Sequence, residues 1–147
     1  MPDEVSPGLA LEGRAMVPGA AQGDVLRLDE PLSFWGGLDP ETGRITDRPH
    51  PQLDEYVVGR VLVMPSGRGS SSASSALCEA IRAGTGPAAI VMAEPDEIIA
   101  LGAVVADELY GRLVPVVVLA EGLDRLRTGV SCTVSDHTVI AYANNRS

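Results

Sequence analysis

Three short runs of aliphatic and β-branched residues limit what this chain can fold into. They are Val57–Met64 (VVGRVLVM), Ala88–Met92 and Pro115–Leu119. None shows a polar/apolar alternation. Mostly apolar throughout, they read as strands buried on both faces. The segments between them have a helical period. Ser70–Ala83 places Ala73, Leu77, Ala80 and Ile81 at i, i+4, i+7 and i+8, a single apolar stripe, and Gly84 and Gly86 end it. A second helical stretch falls within Ile98–Tyr110, stopped by Gly111. The pattern β-α-β-α-β predicts a small parallel sheet with crossover helices.

The flanking segments predict further strands. Leu9–Val17 reads as one strand, Pro18, Gly19 and Gly23 as a turn, and Asp24–Leu28 as a half-buried strand. Ser33–Asp47 (SFWGGLDPETGRITD) reads as a long ordered loop with a short strand at its end. Leu123–Leu126 suits one helical turn, and Val130–Ser135 and Thr138–Tyr142 flank Asp136-His137 as a closing hairpin. The early strands and this hairpin should form a second, more antiparallel layer. The expected fold class is α/β, a three-layer β/β/α domain. The 147 residues are enough for one such domain, with its core over about 9–142.

Charge and residue usage exclude several function classes. The chain has 11 cations against 20 anions, a net charge of −9, which argues against nucleic acid or an anionic membrane as main partner. Every cation is arginine, so neither a Schiff-base lysine nor the lysine of a P-loop is present. Aromatic residues are only 3%, too few for base-stacking platforms. No apolar run approaches the ~18–20 residues that cross a bilayer, and no basic-then-apolar leader opens the chain, so a cytoplasmic protein is expected. Cys78 and Cys132 are too few to hold a metal or cluster alone and read as buried thiols.

The segment best suited to chemistry is Pro65–Ser74 (PSGRGSSSAS), between a buried strand and a helix. Ligands of open α/β sheets bind at the carboxyl ends of strands, near the first turns of the helices that follow. Such a turn offers unpaired N–H groups and the positive end of the helix dipole. Gly67 and Gly69 allow a sharp turn and a close approach to the backbone, and the serines add hydroxyls. Two readings stand together: an N-cap at Ser70 or Ser71, worth ~1 kcal/mol, and a nest for a carboxylate, phosphate or alkoxide.

Other candidates carry less. His50 and His137 have no ligand-spaced partner and read as surface or turn residues. The acidic groups Asp54-Glu55, Glu94/Asp96/Glu97 and Asp107-Glu108 read as solvated faces or helix starts. Trp35, beside Gly36 and Gly37 in a long loop, either lines a ligand site or interface or packs beneath the loop.

Taken together, FWGG (Phe34–Gly37), DPETGRI (Asp39–Ile45), VLVMPSGRGSSSAS (Val61–Ser74) and the AAIVM and VPVVVL strands resemble the small subunit of the aconitase X group. That resemblance runs from about Leu9 to Tyr142 and implies the swivelling β/β/α domain of the aconitase superfamily. It further implies a two-part dehydratase, or hydro-lyase. A large subunit would carry an iron–sulfur cluster, whose iron takes the departing hydroxyl, and this chain would bind no cofactor itself. The substrate would be a small carboxylate: cis-3-hydroxy-L-proline in one branch of the group, phosphomevalonate in the other. In the phosphomevalonate type, GRGS tends to be followed by Thr-Val-Gly. Ser71, Ser72 and Ala73 follow here, which leans toward hydroxyproline.

Ser70 matches the serine of the family's GRGS motif, so the resemblance implies that it is the catalytic base. A serine serves as a base only where its alkoxide is stabilised, and a glycine-lined turn at a helix start supplies N–H donors for that. Gly69, Ser71 and Ser72 are then candidates to bind the substrate carboxylate. Arg68 either pairs with the same anion or is a surface arginine. Competing readings are a stand-alone anion-binding module without catalysis and, with His50 and His137 badly placed for it, a phosphohistidine-carrying swivel domain.

Overall fold

In the computed structural model, which describes residues 7–142, the three buried runs become the centre of an eight-stranded sheet. The chain runs β1 (Pro7–Glu12), β2 (Arg14–Val17), β3 (Ala20–Arg27), a helical turn α1 (Phe34–Gly37), β4 (Val61–Met64), α2 (Ser72–Ala83), β5 (Ala89–Met92), α3 (Glu97–Tyr110), β6 (Val116–Val118), a 3₁₀ turn (Leu123–Arg125), β7 (Ser131–Ser135) and β8 (Thr138–Tyr142). The strand order is β1-β8-β7-β3-β4-β5-β6-β2. Strands β3 to β6 are parallel, with Leu62 paired to both Leu26 and Ile90. On one side β7, β8 and β1 continue antiparallel; on the other β2 closes the edge antiparallel to β6.

β3 belongs to both halves. Its residues Ala20–Asp24 pair with β7 and its residues Val25–Arg27 with β4. The sheet is thereby folded into two layers, and the helices add a third. Alternate residues of the parallel strands serve two cores. Leu26, Leu62, Met64, Ile90 and Met92 pack with Leu77, Ala80, Ile99 and Ala103 of the helices. Val25, Val61, Val63, Val91 and Val117 pack with Cys132, Val134, Val139 and Ala141 of the antiparallel layer. This is the three-layer β/β/α arrangement the sequence pattern predicts. Strands flanked by apolar layers on both sides have no reason to alternate in polarity. Among the described residues no helix is long and apolar enough to cross a membrane.

Four expectations need correction. Leu9–Val17 is two strands rather than one. Gly13 breaks it, donating its N–H to His137 O at 2.7 Å, and a side chain there would run into the Val118 carbonyl. β2 accordingly joins the parallel layer instead of the antiparallel one. Gly23 is not a turn residue. It lies within β3 opposite Cys132, where a Cβ would strike the Gly59 carbonyl. β4 begins at Val61 and not Val57, because Val57–Arg60 turns back on itself, with Arg60 N–H on Val57 O at 3.0 Å. The helix expected from Ser70 starts at Ser72. Its stripe Ala73, Leu77, Ala80 and Ile81 is buried as expected, and Gly84 ends it in the left-handed region.

Candidate active site

The Pro65–Ser72 loop leaves the carboxyl end of β4, the edge where open α/β sheets bind ligands. The segments singled out by sequence converge on it. Gly67 pairs with Leu32, just ahead of the Phe34–Gly37 turn. Gly69 (φ +117°) passes so close to Ser33 that a Cβ would lie 2.8 Å from Ser33 Oγ. Arg68 reaches across to Asp47, at the end of the Ser33–Asp47 segment, with Nη2 on Oδ2 at 3.0 Å. The carboxylate of Asp96 stands against Gly67, leaving no room for a side chain there.

Ser70, Ser71 and Ser72 are all exposed. The N-cap position of α2 is Ser71, but its side chain makes no capping hydrogen bond. Ser70 Oγ accepts from Ser72 N–H only at a long 3.4 Å. The serine backbones do more: Ser70 O accepts from Ala73 N–H at 2.9 Å, and Ser71 O from Ser74 N–H at 3.1 Å. Of the two sequence readings, side-chain capping is therefore the weaker. Among the described residues the Ser70 and Ser71 hydroxyls donate to no acceptor, which leaves them available to a ligand beside the positive end of the α2 dipole.

Arg68 is half exposed and pairs with Asp47 through Nη2 alone, so its remaining guanidinium donors stay open to an anion or to solvent. Trp35 is 66% exposed and forms one wall of an open groove of about 740 Å³, shared with Phe34, Leu38, Pro40, Ser72 and Ala76. Trp35 therefore does not pack beneath the loop, and its groove reaches the serine loop at Ser72. Glu79, also on the groove, has its carboxyl held below the usual range by the hydrogen bond from Arg82. His50 departs from the surface reading. It sits in a turn, but only 4% exposed, with Nδ1 accepting from Gln52 N–H and Nε2 donating to Glu30 O. His137 is exposed in the β7–β8 turn beside Glu12. Asp96 is the N-cap of α3, accepting from Ile98 and Ile99 N–H groups.

Two residues at this site went unnoticed in the sequence, Ser33 and Asp47. Their signals were present only as polar positions inside motif segments. What makes them relevant is a fold that places them against Gly69 and Arg68.

The donor set does not fit an iron–sulfur cluster. Cys78 belongs to the helix-side core and Cys132 to the core between the sheets, so the parallel sheet separates them. Among the described residues no three His, Cys, Asp or Glu side chains gather as metal ligands.

A folded β/β/α domain with a serine loop at the carboxyl edge of its parallel strands defines a swivel-type α/β protein. The chain belongs to the aconitase X swivel domain family, whose profile matches residues 10–142. It is 50% identical over 113 residues to a cis-3-hydroxy-L-proline dehydratase of Pseudomonas aeruginosa, a match covering 77% of this chain and 20% of that protein. It is 36% identical to the phosphomevalonate dehydratase small subunit of Thermococcus kodakarensis, covering 86% of this chain and 90% of the relative. The crystal structure of holo-form aconitase X from Thermococcus kodakaraensis superposes with a TM-score of 0.83 at 34% identity, over 91% of this chain and 98% of that one. The chain thus spans about a fifth of the length of the cis-3-hydroxy-L-proline dehydratases it matches.

Proposed function

We propose that this chain is the small, swivelling subunit of a cytoplasmic aconitase X-type hydro-lyase that dehydrates cis-3-hydroxy-L-proline. The observation that carries the reading is the convergence of the Leu32–Gly37 turn on the Gly67–Ser72 loop, with hydroxyls left uncommitted at the start of α2. In this reading the iron–sulfur cluster of the enzyme belongs to a large subunit. The 50% identity to the Pseudomonas dehydratase, against 36% to the Thermococcus small subunit, supports hydroxyproline over phosphomevalonate. So do Ser71, Ser72 and Ala73 after the GRGS motif.

In this reading Ser70 is the base that takes the proton from the carbon beside the substrate carboxyl. Its alkoxide is stabilised by N–H groups at the uncapped start of α2 and by the dipole behind them. The Gly69 backbone and the Ser71 and Ser72 hydroxyls hold the substrate carboxylate, and Arg68 adds a charged donor to the same anion. Closure of the subunit against its partner excludes water, which strengthens each of these contacts.

The test is co-expression with a candidate large subunit and an assay of cis-3-hydroxy-L-proline and phosphomevalonate side by side. Turnover of the first is expected. Ser70→Ala should assemble normally and lose roughly 10²-fold or more in kcat, the usual worth of a positioned general base. Near-normal turnover in that variant overturns the role of Ser70. Turnover of phosphomevalonate alone would move the chain to the other branch. A chain that binds carboxylates by itself in calorimetry, and supports no turnover in any complex, would be an anion-binding module instead.

A further inference from the structure

We propose that Asp47 is a positioning residue for this site: it holds Arg68 and, through it, the loop that presents Ser70. This deepens the reading of Ser70 and Arg68 given above and rests on it. The loop from Ser66 to Ser72 is rich in small residues, and its residues from Arg68 onward are exposed. Its own side-chain hydrogen bonds are local: Ser66 Oγ donates to Gly67 O, and Ser70 Oγ accepts from Ser72 N–H. Among the described residues the Arg68–Asp47 pair is the one side-chain hydrogen bond from this loop to another segment.

The two ends of that pair differ in exposure. Asp47 is the sheltered partner, its side chain 21% exposed against 50% for Arg68. It sits on a well-tied strip of backbone: Thr46 N–H donates to Gly37 O at 2.9 Å, Ile45 N–H to Glu55 O at 2.8 Å, and His50 N–H to Asp47 O at 3.0 Å. Ile45 just before it and His50 just after it are buried. A sheltered, backbone-tied carboxylate thus anchors the more exposed cation. Only one donor of the guanidinium is used, which leaves the others to meet an anion. An exposed pair of this kind contributes little to global stability, so its effect should be confined to the loop.

The experiment uses Asp47→Asn, with Asp47→Glu as the conservative variant, in the isolated chain and in the assembled enzyme. In the isolated chain, backbone relaxation should show the amides of Gly67–Ser72 loosening, with order parameters falling below about 0.6, while the melting temperature stays within roughly 2 °C of the parent's. In the complex, kcat should fall about tenfold and KM rise several-fold, because both the base and the anion-binding arginine are displaced. Loss of folded enzyme alone would leave KM unchanged. Asp47→Glu should recover part of both parameters, and Asp47→Asn should add nothing to Arg68→Ala. An unchanged loop, an unchanged KM, or a loss that adds to that of Arg68→Ala overturns the proposal. If the parent complex turns over neither substrate, the dehydratase reading falls, and the amide measurement still decides whether Asp47 holds the loop.

Discussion

Cys132 lies in β7 against Gly23 of β3, inside the core between the two sheets, and burial pushes its thiol up to about 11 from an ordinary 9.0. Above pH 9 the unfolded chain releases a proton that the folded chain keeps. The stability linked to this group is therefore complete below about pH 9 and declines as pH rises toward 11, by about 2–3 kcal/mol in total. Urea melts at several alkaline pH values should show that decline, and Cys132→Ser, which has no thiol to ionise, should show a shallower one. The burial of both cysteines was legible from composition. The burial of His50 was not, since its anchors are the Glu30 carbonyl and the Gln52 amide, and nothing in the flanking prolines signals them. The partner of Arg68 is hidden in the sequence for the same reason: Asp47 is 21 positions away on a different loop.

The two long helices begin differently, and the contrast is testable. α3 starts on Asp96, whose Oδ1 accepts from Ile98 N–H at 2.9 Å and from Ile99 N–H at 3.1 Å. α2 starts on Ser71, whose hydroxyl caps nothing. Asp96→Ala should cost about 1 kcal/mol in equilibrium urea unfolding, whereas Ser71→Ala should stay within roughly 0.5 kcal/mol of the parent. The helices and central strands were readable because their apolar periods are set by the layers they face. The roles of Gly13 and Gly23 are not legible locally because each depends on a backbone from another element. Gly13 meets Val118 and Gly23 meets Gly59, and neither approach leaves a mark on the local sequence.

Across the molecule, the first and last strands of the sheet order, β1 and β2, are neighbours in the chain with only Gly13 between them. Backbone passes from one layer to the other there and again within β3, so the folded sheet is fastened at both corners. Gly13→Ala puts a methyl group into the Val118 carbonyl and should destabilise the domain by about 1–3 kcal/mol, the usual range for forced overpacking, read as a lowered midpoint in thermal melts. The layering itself was legible in the sequence; this fastening was not, because a strand that changes layers reads like a strand that does not. The pairing of β1 with β8 sets Pro7 opposite Tyr142. Both ends of the described residues therefore emerge side by side, the geometry that tolerates circular permutation and insertion into another chain. Chain joined to either of these residues would leave from one edge of the antiparallel layer, so both attachments would act on the same pair of strands.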